Sequence, residues 1–550
     1  MPQVPQGLPT AAVVCASLVM AACGGGGGGG GPGTKRLNEA GCTQPYFLTA
    51  APTPESGTDP LLASQWHLGN TGQSGGTPGE DIRVAGAWQQ ASGAGVRVAV
   101  VDSGIEVLHE DLRPNIVPGG SFNYRQGAHF GSDYPLPCAA GNVHGTAVAG
   151  IVAARGGNAI GGSGVAPAAS MVGLNPLSTN MNADIEHALG YQRDRNAIYV
   201  NSWGSPDYGV LNPSDADFDA AIEQGLAQGR GGLGSIFVFP AGNGGTLAVE
   251  TGTGRVLRDN ANYDGYVNKR GQITVCAIDD DGQRPWYGET GANVLVCAPG
   301  GRPVNPVIDD TLGAITTTGL NSTYVSNFAG TSASVPIVGG TVALMLQANP
   351  ALTWRDVQLI LASTARRNSP NDAGWSENFG LWYHPDFGFG TVDAAAAVAA
   401  APGWQTVGGS VEQKYCESAV RNPNVAIVDN SLDQAVSDTV SIAGCDIQEI
   451  EFIEVRFTAR HNYAGELRVD LISPRGLQSQ LATERRCFEP DPNNGSRQVE
   501  IHCGNYRDWR FGTVRHLNEP ATGNWILRVA DLQAGDVGTF QGWQMRIWGR

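Results

Sequence analysis

The sequence predicts an α/β domain built on a doubly wound parallel sheet, followed by an all-β sandwich. Predominantly apolar runs at residues 96–101, 197–201, 235–239 and 272–277 read as strands buried on both faces, the condition of a parallel sheet. Helix-like stretches lie between them, as crossovers between parallel strands require. From about Val411 the pattern changes to short alternating strands broken by turn residues, the profile of a small sandwich.

A chain of 550 residues exceeds one core of usual size, so two domains and a leader are expected. Residues 11–22 are an apolar run too short to span a bilayer and of the length of a signal-peptide core, which predicts export. The expected divisions are a leader at 1–23, a Gly- and Pro-rich tether at 24–58, a first domain at 59–403 and a second at 411–550. Ala401-Pro402-Gly403 serves as the linker.

The net charge of -17 disfavours nucleic acid as a partner, because phosphate backbones reward basic surfaces. Cys15 and Cys23 belong to the leader, and the other eight cysteines form an even set suited to an oxidising compartment. Their connectivity is not fixed by sequence. The pairs expected are Cys276 with Cys297, Cys416 with Cys445 and Cys487 with Cys503, leaving Cys42 for Cys138.

The chemistry centres on Gly330-Thr331-Ser332-Ala333-Ser334-Val335-Pro336, which sets a sterically open serine at the mouth of an apolar helix expected from about Ser334 to Leu346. A serine hydroxyl is a weak nucleophile unless a base removes its proton, a carboxylate orients that base and donors receive the oxyanion. The first strand ends on Asp102-Ser103-Gly104, and a helix of small residues begins at His144. The strand at 235–239 leads into Pro240-Ala241-Gly242-Asn243.

This Asp, His, Ser order, with the asparagine between, resembles the subtilisin-like serine proteases. The segments at 59–68, 81–88, 101–112, 228–238, 352–357 and 387–394 are similar to the kexin and furin branch of that family. Those at 461–467, 471–476 and 523–531, with Gly542-Trp543, resemble the P domain that follows such catalytic domains. The resemblance implies that Ser332 attacks a peptide carbonyl, His144 takes its proton, Asp102 orients His144, and Asn243 with the Ser332 backbone N–H binds the oxyanion.

It further implies that Asp207 and Asp264, with Trp203 and Gly204, form the pocket for an arginine before the scissile bond. Paired carboxylates suit a guanidinium and would be left unpaired by an apolar side chain. In that branch a second pocket uses an aspartate after the catalytic one and acidic sequence before the histidine. This chain has Ser103 and Asn142-Val143 there. Cleavage after a single arginine, then lysine, is therefore expected. Asp184 and Glu186 are candidates for attracting a basic residue further upstream, and equally for a solvated helix face.

Calcium is the implied cofactor, since hard cations take several oxygens. One site would use Asp59, Asp111 and Asn158 with the carbonyls of Arg155, Ile160 and Gly162. A second would use Glu289 and Asp207, with Glu250 a guess for a third ligand. Protein or peptide substrates are the expected partners of an expected monomer. Cys23 followed by Gly24–Gly31 resembles a bacterial lipoprotein leader, implying attachment to the cell envelope, with extracellular release the alternative. Residues 24–58 are too few for a folded prodomain, so folding is expected to proceed unaided or with a separate chaperone. The P domain is expected to stabilise the catalytic domain. The competing readings are a broad-specificity subtilase and an inactive surface binding protein.

Overall fold

The computed structural model describes residues 56–125, 133–137, 142–179, 181–249, 254–302, 313–492 and 494–550. The leader, Cys15, Cys23, Cys42, Cys138 and Glu250 lie outside these, and with them the expected Cys42–Cys138 pair.

The first domain is organised by a six-stranded sheet of β1 (Arg97–Val101), β2 (Ser170–Leu174), β3 (Ile198–Asn201), β4 (Ile236–Pro240), β5 (Gln272–Ile278) and β6 (Val294–Pro299). All neighbours are parallel, in the order β2-β1-β3-β4-β5-β6. The chain leaves β1 for one edge and returns past it to β3, so winding reverses between β1 and β3. Such a reversal opens a crevice at the carboxyl ends of the strands. Val98, Val100, Val101 and Phe239 are fully buried, because helices cover both faces.

Two strands go beyond those expected. β2 opens on Ser170 and contains Gly173, which weakens its apolar run. β6 carries Val294-Leu295-Val296, a signal the sequence did offer, and pairs Cys297 opposite Cys276 of β5, where the disulfide joins adjacent strands.

The longer helices are α1 (His144–Ala153), α2 (Asn182–Gly190), α3 (Ala216–Gln228), α4 (Thr331–Ala348), α5 (Trp354–Thr364) and α6 (Ala394–Ala400). α4 is apolar all round and long enough to cross a membrane, but it is buried at the centre of this domain against α1, β3, β4, β5 and β6. It begins three residues before the expected start. Gly330, at φ 109°, makes the break that admits the chain to the helix at Thr331, so Ser332 lies in its first turn.

The second domain is an antiparallel sandwich. One sheet has the strands Val436–Ile442, Gly523–Asp531, Leu467–Ile472 and Gln478–Ala482. The other has Lys414–Glu417, Gly538–Gly549, Ile450–His461 and Tyr506–Thr513, with Val425–Ile427 added beside Gly538–Gly549. Phe457, Phe511, Trp525 and Phe540 fill the space between them. Cys416–Cys445 and Cys487–Cys503 are bonded as expected.

The domains are joined by more than the linker. Arg355 of α5, 1% exposed, donates to both carboxylate oxygens of Glu451 at 2.8 and 2.6 Å and to the Val407 carbonyl at 2.7 Å. The neighbouring Asp356 accepts from Trp404 Nε1, Thr406 Oγ1 and the Val407 N–H, so residues 404–407 are held rather than trailing.

Candidate active site

Asp102 follows β1 directly and is 1% exposed. Its Oδ1 accepts from the Ser103 N–H at 2.7 Å, and Ser103 Oγ lies 3.1 Å away. Nδ1 of His144, the first residue of α1, lies 3.0 and 2.9 Å from the two carboxylate oxygens. With a carboxylate there, Nδ1 carries the proton and Nε2 is left with a lone pair, the tautomer a general base needs. The ring is held edge-on against Phe328, 5.5 Å between centroids, and Nε2 has no partner among the described residues.

Ser332 is positioned by a feature of α4 itself. Pro336 has no N–H, so the Ser332 carbonyl four residues earlier loses its helical partner. That carbonyl accepts instead from the Ser202 hydroxyl at 3.0 Å, while the Ser332 hydroxyl donates to the Ser202 carbonyl at 3.3 Å. Ser202 follows β3, so this reciprocal pair pins the start of α4 to the sheet at the winding reversal. It also means that the serine-to-histidine hydrogen bond is not made in this structure. Catalytic bonds of this kind often tighten only around substrate.

Asn243 lies just past β4. Its Oδ1 accepts from the Thr331 N–H at 2.9 Å and the Thr331 hydroxyl at 3.0 Å, which fixes the amide and leaves its NH2 for another acceptor. The Ser332 N–H is among the first-turn donors that have no intrahelical partner, and the helix N-terminus adds positive potential there. Asp102, His144, Asn243 and Ser332, the candidate orienting carboxylate, base, oxyanion donor and nucleophile, thus come from four segments at the carboxyl edge of one sheet.

A recess next to Asn243 is lined by Gly204, Pro206, Ala241, Tyr263 and four carboxylates, Asp207, Asp259, Asp264 and Glu289. Asp264 accepts from the Ser205 N–H (2.7 Å), the Ser205 hydroxyl (3.0 Å) and the Tyr266 N–H (2.8 Å). Asp207 accepts from the Asn243 N–H at 3.1 Å, Glu289 from the Gly244 N–H at 2.8 Å, and Asp259 from the N–H groups of Gly209 (2.7 Å) and Asn260 (2.8 Å). A Cβ at Gly244 would lie 2.7 Å from the Asp259 Cβ, 2.9 Å from Glu289 Oε1 and 3.0 Å from the Asp207 Cβ, which shows how closely these three side chains converge.

Burial raises all four. Asp207 is pushed up to about 6, and Asp259 to about 7 with the Asp207 charge adding to burial. Glu289 rises well above the usual range through burial and then the charges of Asp259 and Asp207, and burial also raises Asp264. A recess of this make-up favours a guanidinium or a metal ion, either of which would relieve the repulsion.

Asp207, Asp264 and Glu289 are therefore brought together, and Asp259 is the member the sequence reading missed. Glu250, the guess for that place, is outside the described residues. Asp259 stands five residues before Asp264 in a polar Asp-Asn-Ala-Asn turn, a signal within reach. Gly204 lines the recess, but the Trp203 ring does not. It is 6% exposed and packs among Phe218, Phe239 and Tyr266, the usual fate of a large aromatic at the end of a buried strand.

The other expected cation site also assembles in part. Asn158 Nδ2 donates to Asp111 at 2.9 Å, and Asp59 accepts from the N–H groups of Gly157 (2.7 Å) and Asn158 (2.9 Å). The loop through Arg155, Ile160 and Gly162 wraps around them, but with N–H groups toward the oxygens: Ile160 donates to Asn158 Oδ1 (3.0 Å) and Gly162 to Asp111 (3.2 Å). Burial pushes Asp111 up to about 7. The side-chain oxygens of Asp59, Asp111 and Asn158 are hard donors of the kind calcium prefers, and N–H groups occupy them in this structure.

Asp184 is buried and accepts from Thr179 Oγ1 at 2.6 Å, so it serves the start of α2 rather than a substrate. Glu186 is half-buried, and Asp215 and Asp217 add to the burial that raises it. Beside the catalytic pair, Ser103 Oγ donates to Asn142 Oδ1 at 2.6 Å, a neutral contact.

Residues 93–381 match the Subtilase family, and residues 450–547 match the Proprotein convertase P-domain. The chain is 34% identical to the dibasic-processing endoprotease of Schizosaccharomyces pombe over 90% of its own length and 65% of that protein. It is 33% identical to Protease KEX1 of Kluyveromyces lactis over 90% of this chain, spanning 60% of that relative's length. Against neuroendocrine convertase 2 of Bos taurus the identity is 32%, over 89% of this chain and 74% of that one. The crystal structure of a serine protease of Aeromonas sobria is similar at a TM-score of 0.76 and 27% identity, covering 94% of this chain and all of that one. A second crystal structure holds that protease in complex with a chaperone, at a TM-score of 0.75 and 26% identity over the same shares.

Proposed function

Because this chain belongs to the subtilase family, on the branch that carries a proprotein convertase P-domain, we propose that it is a serine endopeptidase cutting after basic residues, arginine before lysine. The observation that carries this reading is the His144 Nδ1 contact with Asp102 at 2.9 Å, beside a serine held in the first turn of α4 and an asparagine whose amide is locked by Thr331. His144 Nε2 takes the Ser332 proton as Oγ attacks the peptide carbonyl. Asp102 holds the imidazole and stabilises its positive charge, and Asn243 with the Ser332 N–H receives the oxyanion. The proton then passes from His144 to the departing amine, and water repeats the sequence on the acyl-enzyme.

The preference for arginine rests on the recess. A guanidinium entering it meets Asp207 and Asp264, whereas a leucine would leave buried carboxylates without a partner. The relatives include proteases named for dibasic processing, but the Ser103–Asn142 contact supplies no charge beside the catalytic pair. Cleavage after a single arginine, with a loose requirement before it, is the reading proposed here.

Calcium would bind at two places, Asp59, Asp111 and Asn158 with the surrounding loop, and Asp207, Asp259 and Glu289. Its part is to neutralise these carboxylates and stiffen the loops that carry them. The three disulfides among the described residues support export to an oxidising compartment, where Cys23 would anchor the chain to the cell envelope. A separate folding chaperone is supported by the complex of the similar Aeromonas protease.

The test is hydrolysis of matched fluorogenic peptides ending in Arg, Lys, Phe or Leu, with Ser332→Ala as control. Strong preference for Arg, abolished in the control, is expected. Equal cleavage after Phe and Leu would establish the broad-specificity reading instead.

A further inference from the structure

The two segments that carry the pocket carboxylates, 205–214 with Asp207 and 259–268 with Asp264, contain no long strand or helix that would fix their separation. They bond to each other where Ser205 donates to Asp264, Gly209 to Asp259, Asn212 to the Tyr263 carbonyl and Gly265 to the Asn212 carbonyl, and a further set of contacts comes from the P domain. Asn262 is held at its side chain by both backbone groups of Gly512 and at its carbonyl by Trp509 Nε1. The Phe488 N–H donates to the Tyr208 carbonyl at 2.9 Å. The Tyr263 hydroxyl accepts from the Thr483 N–H at 2.7 Å and donates to the Thr483 carbonyl at 2.8 Å.

One side chain spans both segments. Arg485, 3% exposed, donates through Nε to the carbonyl of Gly209, two residues past Asp207. The face of the same guanidinium lies 3.8 Å from the ring centre of Tyr263, the residue before Asp264. Its Nη1 donates to Tyr506 Oη at 2.8 Å, in the buried interior of the P domain. Only a planar, forked cation can donate in its plane to two acceptors while presenting its face to an aromatic ring; an ammonium cannot do all three. Arg485 is itself anchored, since its N–H bonds to the Gly465 carbonyl at 2.8 Å and the Cys487–Cys503 disulfide follows two residues later.

We propose that Arg485 of the P domain is a positioning residue for the arginine pocket, setting the separation of the Asp207 and Asp264 segments, so that the P domain is a structural part of substrate selection. This rests on the basic-pocket reading given above. Arg485 touches neither substrate nor triad, so its removal acts on binding and selectivity and spares the reactivity of Ser332.

The experiment uses the full chain with Arg485→Met, which keeps length and apolar bulk, and Arg485→Lys, which keeps charge without the fork. KM and kcat are measured for peptides ending in Arg and in Leu, alongside the rate at which a fluorophosphonate labels Ser332. In Arg485→Met, KM for the Arg peptide is expected to rise about tenfold and Arg-over-Leu selectivity to narrow in step, with labelling within about twofold of wild type. Arg485→Lys is expected to recover less than half of that change on a logarithmic scale.

Unchanged KM and selectivity in a cooperatively melting Arg485→Met protein would overturn the proposal, and so would full rescue by lysine. Should Arg485→Met fail to fold, Tyr263→Leu removes the ring that the guanidinium faces, and an unchanged KM and selectivity there overturn it equally. A wild type with no preference for Arg overturns the basic pocket and this inference together. A wild type that prefers Arg, with variants that do likewise, overturns this inference alone.

Discussion

Replacing Asn243 separates two jobs that its side chain performs at opposite ends. The NH2 is the proposed oxyanion donor, and Oδ1 holds the Thr331 N–H and hydroxyl at 2.9 and 3.0 Å. Asn243→Ala removes both. Loss of one oxyanion donor costs about 2.7 to 4 kcal/mol in the transition state, so kcat should fall about 10²- to 10³-fold with KM little changed. The stranded Thr331 donors cost stability of the folded state, on the order of 1 to 2 kcal/mol. Asn243→Asp keeps an acceptor for Thr331 but sets a carboxylate oxygen where the oxyanion forms. Its stability should lie nearer wild type, while its kcat falls at least as far as that of the alanine variant. The assay is steady-state hydrolysis of an Arg-terminated fluorogenic peptide, paired with thermal unfolding of the same preparations. An Asn243→Ala enzyme within about threefold of wild-type kcat would refute the assignment, and an active Asn243→Asp would refute the orientation deduced from Thr331.

Ser103→Asp should create a preference for a basic residue before the arginine, seen as about a tenfold rise in the kcat/KM ratio of Arg-Arg over Ala-Arg peptides; no change would mean that this position does not face the substrate. Glu451→Ala leaves the buried Arg355 charge unpaired between the domains and should cost about 3 to 5 kcal/mol in denaturant unfolding, whereas a loss under about 1 kcal/mol would show that the pair is dispensable. Asp111 and Asp259 are raised to about 7 and Asp207 to about 6, so the folded chain holds protons that the unfolded chain releases near pH 4. Without calcium, stability should therefore fall as pH rises from about 4 to about 7, and calcium, binding the ionised carboxylates, should protect more strongly over the same rise. Melting temperatures in chelator and in calcium across this range check it; a gap between them that does not widen with pH would count against both sites.

Much of the fold was legible because its signals are local. Four of the six sheet strands are largely apolar runs, whereas the reversal at β1 and β3 depends on β2, whose run is interrupted by Ser170 and Gly173. The Asp102, His144, Ser332 and Asn243 positions each sit where such a run ends or a helix begins, and their convergence at one sheet edge was implied by the resemblance to the subtilisin-like family. What sequence could not supply were relations between distant segments. Asp259 joins its cluster only because the 242–244 turn brings Glu289 and Asp207 to it. The Trp203 ring turns into an aromatic core that its neighbours in sequence do not announce. The amides facing Asp111 and the rotation of Ser332 toward Ser202 are settled by hydrogen-bond geometry that residue types leave open. Least legible of all was Arg485, an arginine in an ordinary stretch of the second domain whose partners beside the pocket, Gly209 and Tyr263, lie over 200 residues away.

The most direct measurement is inactivation of the full chain by two peptidyl phosphonates that differ only in ending on an arginine-like or a leucine side chain, with the adduct located by peptide mapping. A serine activated by His144 beside a carboxylate-lined pocket predicts one adduct, on Ser332, formed at least about a hundredfold faster with the cationic reagent. Equal rates for the two reagents, or modification at any residue other than Ser332, would contradict it.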